Sequence, residues 1–201
     1  MDLKDARFYA IDIETTGLDP KKDAIISFAC VPIMQLKVLV RDTYYTLIRP
    51  SGYNLAAMKF HGLSEDNLKD APSFEETAER ILEVTDGILV GHSVEFDFTF
   101  LKNHFRPLGI RYKRDLVDIA LLERWLRRKH KTDDGDLSLD DLIAAYGLEQ
   151  HYRHNAAADA FYAAQIFQIQ LRAMAAFGID SAEKIIRAAK SCRHCSSGIA
   201  F

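Results

Sequence analysis

The sequence predicts an α/β fold in which helices flank a central mixed sheet of five strands. Three observations carry this expectation. The first 48 residues contain three runs rich in Ile, Val, Phe and Tyr, separated only by short turn segments. The run GILVG at Gly87–Gly91 is short and wholly apolar, as a central strand of a sheet requires. Beyond about residue 120 helical patterning takes over and ends in an alanine-rich stretch too long for a strand.

In order, strands are expected at Phe8–Glu14, Ala24–Met34 and Lys37–Ile48, and their short connections make neighbours antiparallel. Helices follow at Asn54–Phe60, Glu65–Asp70 and Phe74–Val84, the last capped by Ser73 with Glu76 completing a capping box. Gly87–Gly91 is the fourth strand and leads into a helix from about Ser93 to Phe105. Asp115–Ile119 is the fifth and leads into a helix from about Ala120 to Lys129. The stretch DDGD, Asp133 to Asp136, is the most loop-like of the chain. Leu139–Tyr146 reads as a short helix ended by Gly147, Ala156–Phe177 as a long one, and residues 181–190 as the last. No repeat or linker divides the chain, so residues 1–178 are expected to form one domain, followed by a helix and mobile tail over residues 179–201.

A chain of 201 residues with 48% hydrophobic content can bury one sizeable core. Its net charge of −3 argues against a strongly basic coat protein but leaves open an enzyme that grips nucleic acid locally. No apolar run reaches the roughly 18 residues of a membrane span, and MDLKDARF lacks the apolar region of a signal peptide. A cytoplasmic protein with no membrane partner is expected. The odd cysteine count, Cys30, Cys192 and Cys195, fits a reducing compartment. Cys192-Arg-His-Cys195 is a CxxC with no second half of a zinc site, and is read as two incidental thiols in the tail.

The stretch FYAIDIETTGLDP places Asp12 and Glu14 inside an apolar run. An ionised carboxylate there must be paired, protonated or bound to a cation. Strand alternation puts both on one face with Ile13 opposite, so they can share a ligand. Two further acids stand out. Asp97, in GHSVEFDF, falls in the first turn of a helix that follows a central strand, and strand carboxyl ends are where α/β proteins place ligands. In HNAAAD, five residues along one continuous helix would turn His154 about 140° from Asp159. Asn155 is a good N-cap, so the helix is expected to start there, leaving His154 on the preceding loop and Asp159 in the first turn. A fixed acid beside a movable base suits metal-assisted hydrolysis. Taken singly, each of these residues also suits a solvent-facing or capping role.

Together, D-x-E on the first strand, an Asp after a central strand and H-x4-D opening a late helix resemble, in order, the motifs of the DEDDh (DnaQ-like) 3′→5′ exonucleases. That family includes the proofreading epsilon subunit of bacterial DNA polymerase III. The resemblance covers about residues 7–175, and Met58–Leu63 (MKFHGL) resembles the family's HGI/HGL segment. Ser93 departs from it, standing where many members carry Asn. The resemblance implies an RNase H-like fold whose second strand runs antiparallel. It implies two Mg²⁺ or Mn²⁺ ions held by Asp12, Glu14, Asp97 and Asp159, with His154 as general base, and nucleoside 5′-monophosphates as products. Thr15, Leu18, His61 and Phe96 would grip the terminal nucleotide. The implied partner is nucleic acid with a free 3′ end, DNA in preference to RNA, with a DNA polymerase as a further candidate. An RNA 3′-end trimming enzyme and a non-catalytic nucleic-acid-binding module are the alternatives. An aspartyl phosphatase fits less well, because Asp12-Ile13-Glu14-Thr15-Thr16 does not meet D-x-D-x-T. Two basic clusters, Arg111–Arg114 and Arg124–Lys131, each carry an aromatic and can steer phosphates or stack a base. The second better suits a solvated helix C-terminus, whose cations favour the helix dipole.

Overall fold

A computed structural model describes residues 1–50, 52, 62–132 and 137–193. The first strand, β1 (Arg7–Thr15), runs antiparallel to β2 (Ile25–Met34), pairing Asp12 with Ala29 and Glu14 with Ser27. On its other side β1 pairs in parallel with β5 (Ile88–Gly91), which pairs in parallel with β6 (Leu116–Asp118). The outer edge of β2 is covered by two short strands, β3 (Lys37–Val38) and β4 (Tyr44–Leu47). The sheet order is therefore β3-β2-β1-β5-β6, with β4 also on β2. This is the expected mixed sheet with an antiparallel second strand.

Among the described residues it has six strands rather than five, because the expected strand Lys37–Ile48 is broken by a 3₁₀ turn at Val40–Asp42. The break has a local cause in Pro32 of β2. Its carbonyl accepts the Leu39 N–H at 2.9 Å, so its backbone polar side faces this neighbour. Proline has no N–H to return, and the ladder cannot continue past it. The chain leaves the edge at Leu39 and rejoins it where Tyr44 opposes Cys30.

Helices cover both faces. Short α1 (Glu65–Leu68) precedes α2 (Phe74–Val84), where the expected capping box forms: Glu76 accepts the Ser73 N–H at 2.7 Å and Ser73 Oγ accepts the Glu76 N–H at 3.3 Å. With α3 (Glu95–Phe105), α2 buries Phe74, Ile81, Phe100 and Phe105 against Tyr9, Ile11 and Ile13 of β1. The opposite face carries Phe8 and Ala10 of β1 and is covered by α4 (Ile119–His130), α5 (Leu139–Ala145), α6 (Ala156–Ala175) and α7 (Ala182–Arg193). α5 ends before Gly147, whose φ of +63° suits a residue without Cβ. Ala160, Ala163 and Ala164 of α6 are buried in this core, small enough to bring the helix close to the sheet.

α7 is built into that core through Ile185, Ala188 and Ala189, and lies against α4 and β6. The N-terminus reinforces it: the Met1 ammonium meets Glu183 at 2.9 Å, and Asp2 bridges Ser181. Cys192 is buried, close to the Arg128 guanidinium. Cys195, the expected helix Asn54–Phe60, the DDGD loop and the end of the tail lie outside the described residues. Among the described residues no helix is long and apolar enough to cross a membrane.

Candidate active site

The alternation that sends Ile11 and Ile13 of β1 to the α2–α3 core turns Asp12 and Glu14 to the α6 face. Opposite them on β2 stand Ala29 and Ser27, small side chains that leave room beside the carboxylates. β5 pairs with β1 only from Phe8 to Ala10, so β1 runs on past its parallel neighbour. At that open edge the Ile13 N–H, between the two acids in sequence, donates to Asp97 Oδ1 at 3.0 Å. Asp97 is buried at 4% exposure in the first turn of α3, which β5 delivers through His92 and Ser93. Gly91 makes the approach possible: a Cβ there would stand 3.0 Å from the Ile11 carbonyl oxygen. Ser93 turns the chain with φ +55°, a left-handed conformation that Asn tolerates better than most residues.

Asp159 arrives from the other core. Asn155 is the N-cap of α6 and its side chain accepts the Ala158 N–H at 3.2 Å, so Asp159 sits in the first turn, buried at 6% exposure. His154 lies before the cap with φ +55° and is exposed. The break between His154 and Asp159 thus falls where N-cap chemistry places it.

The four acids act on one another. Burial pushes the Asp12 carboxyl well above the usual range, and the charges of Asp97, Asp159 and Glu14 push it further. Burial and then the Asp159 charge push Glu14 up to about 7. Asp97 is raised by burial, opposed by its backbone hydrogen bonds, with added repulsion from Asp118 and Glu14. Asp159 Oδ1 is buried without a hydrogen-bond partner. Four mutually repelling carboxylates and one orphaned oxygen are a donor set suited to a hard divalent cation. As they stand, among the described residues, no three His, Cys, Asp or Glu side chains are disposed to hold an ion.

A residue that the sequence reading passed over accounts for part of this. Arg153 pairs with Asp159 Oδ2 through Nη1 and donates from Nε to Asp140 Oδ1 at 2.6 Å. Its adjacency to His154 was the available signal, since a cation beside an acid cluster is the cheapest compensation. Asp118, the N-cap of α4, and Tyr45, a phenol on β4 that feels Glu14, also lie at the edge of the site.

The remaining expectations divide. Thr15 closes β1 with Oγ1 donating to the Gly17 carbonyl at 2.6 Å, and Leu18 beyond it is 84% exposed. Phe96 is half-buried against Phe100, ring centroids 4.7 Å apart. His61 lies outside the described residues. The basic clusters do not offer their aromatics to a ligand. Tyr112 is buried and donates to Thr85 Oγ1, while Trp125 packs on Phe177 with Lys129 over its ring. A cavity of about 890 Å³, lined by Val40, Leu148, Tyr152, Asn155 and Phe161 among others, flanks the N-terminus of α6 but contains none of the four acids.

The chain matches a family model described as exonuclease over residues 9–167. It is 32% identical over 183 residues to a DNA polymerase III PolC-type of Caldanaerobacter subterraneus subsp. tengcongensis, covering 90% of this chain and 13% of that one. The chain thus spans about an eighth of that relative's length. Among solved structures it is similar to E. coli Exonuclease I in complex with a dA16 oligonucleotide, with TM-score 0.71, 20% identity, and coverage of 90% of this chain and 45% of that one. It is also similar to the nuclease domain of 3′hExo, a DEDDh family member bound to rAMP, with TM-score 0.67, 18% identity, and coverage of 86% and 94%. These likenesses match the RNase H-like fold expected from the sequence.

Proposed function

The chain belongs to the exonuclease family, and from that premise we propose that it is a metal-dependent 3′→5′ exonuclease releasing nucleoside 5′-monophosphates, with DNA as the preferred substrate. The observation that carries this reading is the Asp97–Ile13 hydrogen bond, which ties the third acid to the strand bearing the first two, with Asp159 close enough to repel them. Asp12, Glu14, Asp97 and Asp159 are the residues that would hold Mg²⁺ or Mn²⁺. Bound there, a pair of such ions would supply activation of the attacking water and stabilisation of the leaving 3′ oxygen. His154 takes the water's proton on a ring nitrogen, and its place on the loop before the Asn155 cap lets it reach in without moving Asp159. Thr15, Leu18 and Phe96 would grip the terminal nucleotide, with Leu18 and Phe96 contacting its base or sugar. His61 completes the nucleotide grip. The nuclease motifs fall within residues 1–178, and α7 beyond them packs into the same core.

DNA is preferred because the PolC-type relative is a DNA polymerase by name and one structural neighbour holds a DNA oligonucleotide. The same relative makes a DNA polymerase the proposed partner. The neighbour bound to rAMP keeps RNA as the competing substrate. One degradation series tests the reading, using end-labelled single-stranded DNA, duplex DNA, mismatched 3′ ends and short RNA. Shortening from the 3′ end that a 3′-phosphate blocks is expected. Release of the 5′ nucleotide first, or full activity in excess chelator, overturns it. Faster trimming of RNA reassigns the substrate.

A further inference from the structure

We propose that Arg153 is the resident counter-ion of the carboxylate cluster, and that a divalent metal enters by displacing its guanidinium from Asp159. This inference rests on the metal-binding reading above. Three features of the described residues converge on it. The Arg153 side chain is only 17% exposed, unusual for an arginine next to an exposed histidine. It is held at two points on two helices, Nε by Asp140 of α5 and Nη1 by Asp159 of α6. Asp159 is only half served by this contact, since its Oδ1, the oxygen not paired with Arg153 Nη1, is buried without a hydrogen-bond partner.

The two anchors differ in what they can give up. The bond to Asp140 is short, and the Asp140 side chain is 56% exposed. Asp159 is buried among like charges, where a divalent ion with other oxygen ligands at hand competes best for it. Metal entry therefore breaks the Asp159 contact and leaves Arg153 tethered to Asp140. Because His154 follows Arg153 directly, with φ +55°, the same release frees the segment that carries the proposed base. Arg153 acts on the reaction through Asp159 and His154, as a positioning residue.

The test is calorimetric titration of Mn²⁺ into the wild type, Arg153→Met and Arg172→Met, paired with melting curves in chelator and in saturating Mn²⁺. Arg172 is exposed further along α6 and controls for net charge. Removing the competitor should tighten Mn²⁺ binding in Arg153→Met on the order of tenfold, which corresponds to about 1.4 kcal/mol. Its melting temperature should fall in chelator and return to the wild-type value with Mn²⁺, while Arg172→Met changes neither. A purely structural arginine predicts the opposite sign, so unchanged or weaker Mn²⁺ binding in Arg153→Met overturns the proposal. Wild type that binds no Mn²⁺ overturns the metal reading itself. The wild type also offers a readout that needs no folded variant: Mg²⁺ should accelerate modification of Arg153 by an arginine-directed dicarbonyl, mapped by mass spectrometry. A rate that Mg²⁺ leaves unchanged or slows counts equally against displacement.

Discussion

Asp97 has two separable duties, a charge toward the cluster and an acceptor for the Ile13 N–H. Asp97→Asn keeps the acceptor and removes the charge, so nuclease activity should fall by at least about 10²-fold while stability in chelator holds or rises, because one repelling carboxylate is gone. Asp97→Ala leaves the Ile13 N–H without its carboxylate acceptor and should cost about 1–3 kcal/mol in the same buffer. Denaturant midpoints of the two variants check this, and equal loss in both would assign Asp97 to structure alone. Glu14 gives the pH dependence. Its folded pKa is pushed up to about 7 from an ordinary 4.5, so between those values the metal-free native state binds more protons than the unfolded chain. Stability contributed by Glu14 is therefore present at low pH and declines as pH rises through that window. His104, lowered by burial, has the opposite sign, so the measurement is the difference between wild type and Glu14→Gln in chelator. That difference should shift against the wild type from pH 5 to pH 8; a shift in its favour would refute the assigned repulsion.

At the scale of elements, the start of α6 divides the machinery into a fixed and a movable part. His154→Ala should lower the chemical rate by about 10²–10⁴-fold with Mn²⁺ binding retained, because the base lies outside the helix that carries Asp159. Calorimetric Mn²⁺ titration beside single-turnover rates separates this from a ligand role, which would weaken both. Asn155→Ala removes the acceptor for the Ala158 N–H and should cost about 0.5–2 kcal/mol of stability. The loss should appear in the unfolding midpoint as well as in turnover, since the frayed turn carries Asp159. Turnover lost with the midpoint unmoved would show that the cap serves the His154 loop alone.

Over the whole molecule, two cores meet at the site: β1 gives alternate residues to each, α3 brings Asp97 from one and α6 brings Asp159 from the other. α7 belongs to the second core, with Ile185 and Ala189 buried against its neighbours. Deleting residues 179–201 should therefore destabilise the remainder by at least ~2 kcal/mol, or about 4–8 °C in melting temperature for a chain of this size. An unchanged melting temperature would show that residues 1–178 fold without α7. If the melting temperature falls, activity at low temperature should still survive, because none of the four acids lies on α7.

What the sequence determined by itself is local. The period-two alternation in FYAIDIET put Asp12 and Glu14 on one face, Ser73 and Asn155 marked helix starts through their side-chain acceptors, and the same cap separated His154 from Asp159. These features follow from dihedral preference and from hydrogen bonds a few residues long. The split of Lys37–Ile48 escaped it because the cause, the missing N–H of Pro32, lies on the neighbouring strand and acts only once the strands are paired. The Ile13–Asp97 bond and the double hold of Arg153 on Asp140 and Asp159 were likewise decided only in the tertiary structure. Each joins groups on different elements, and which charge compensates a buried acid depends on distance in space, which spacing along the chain does not encode.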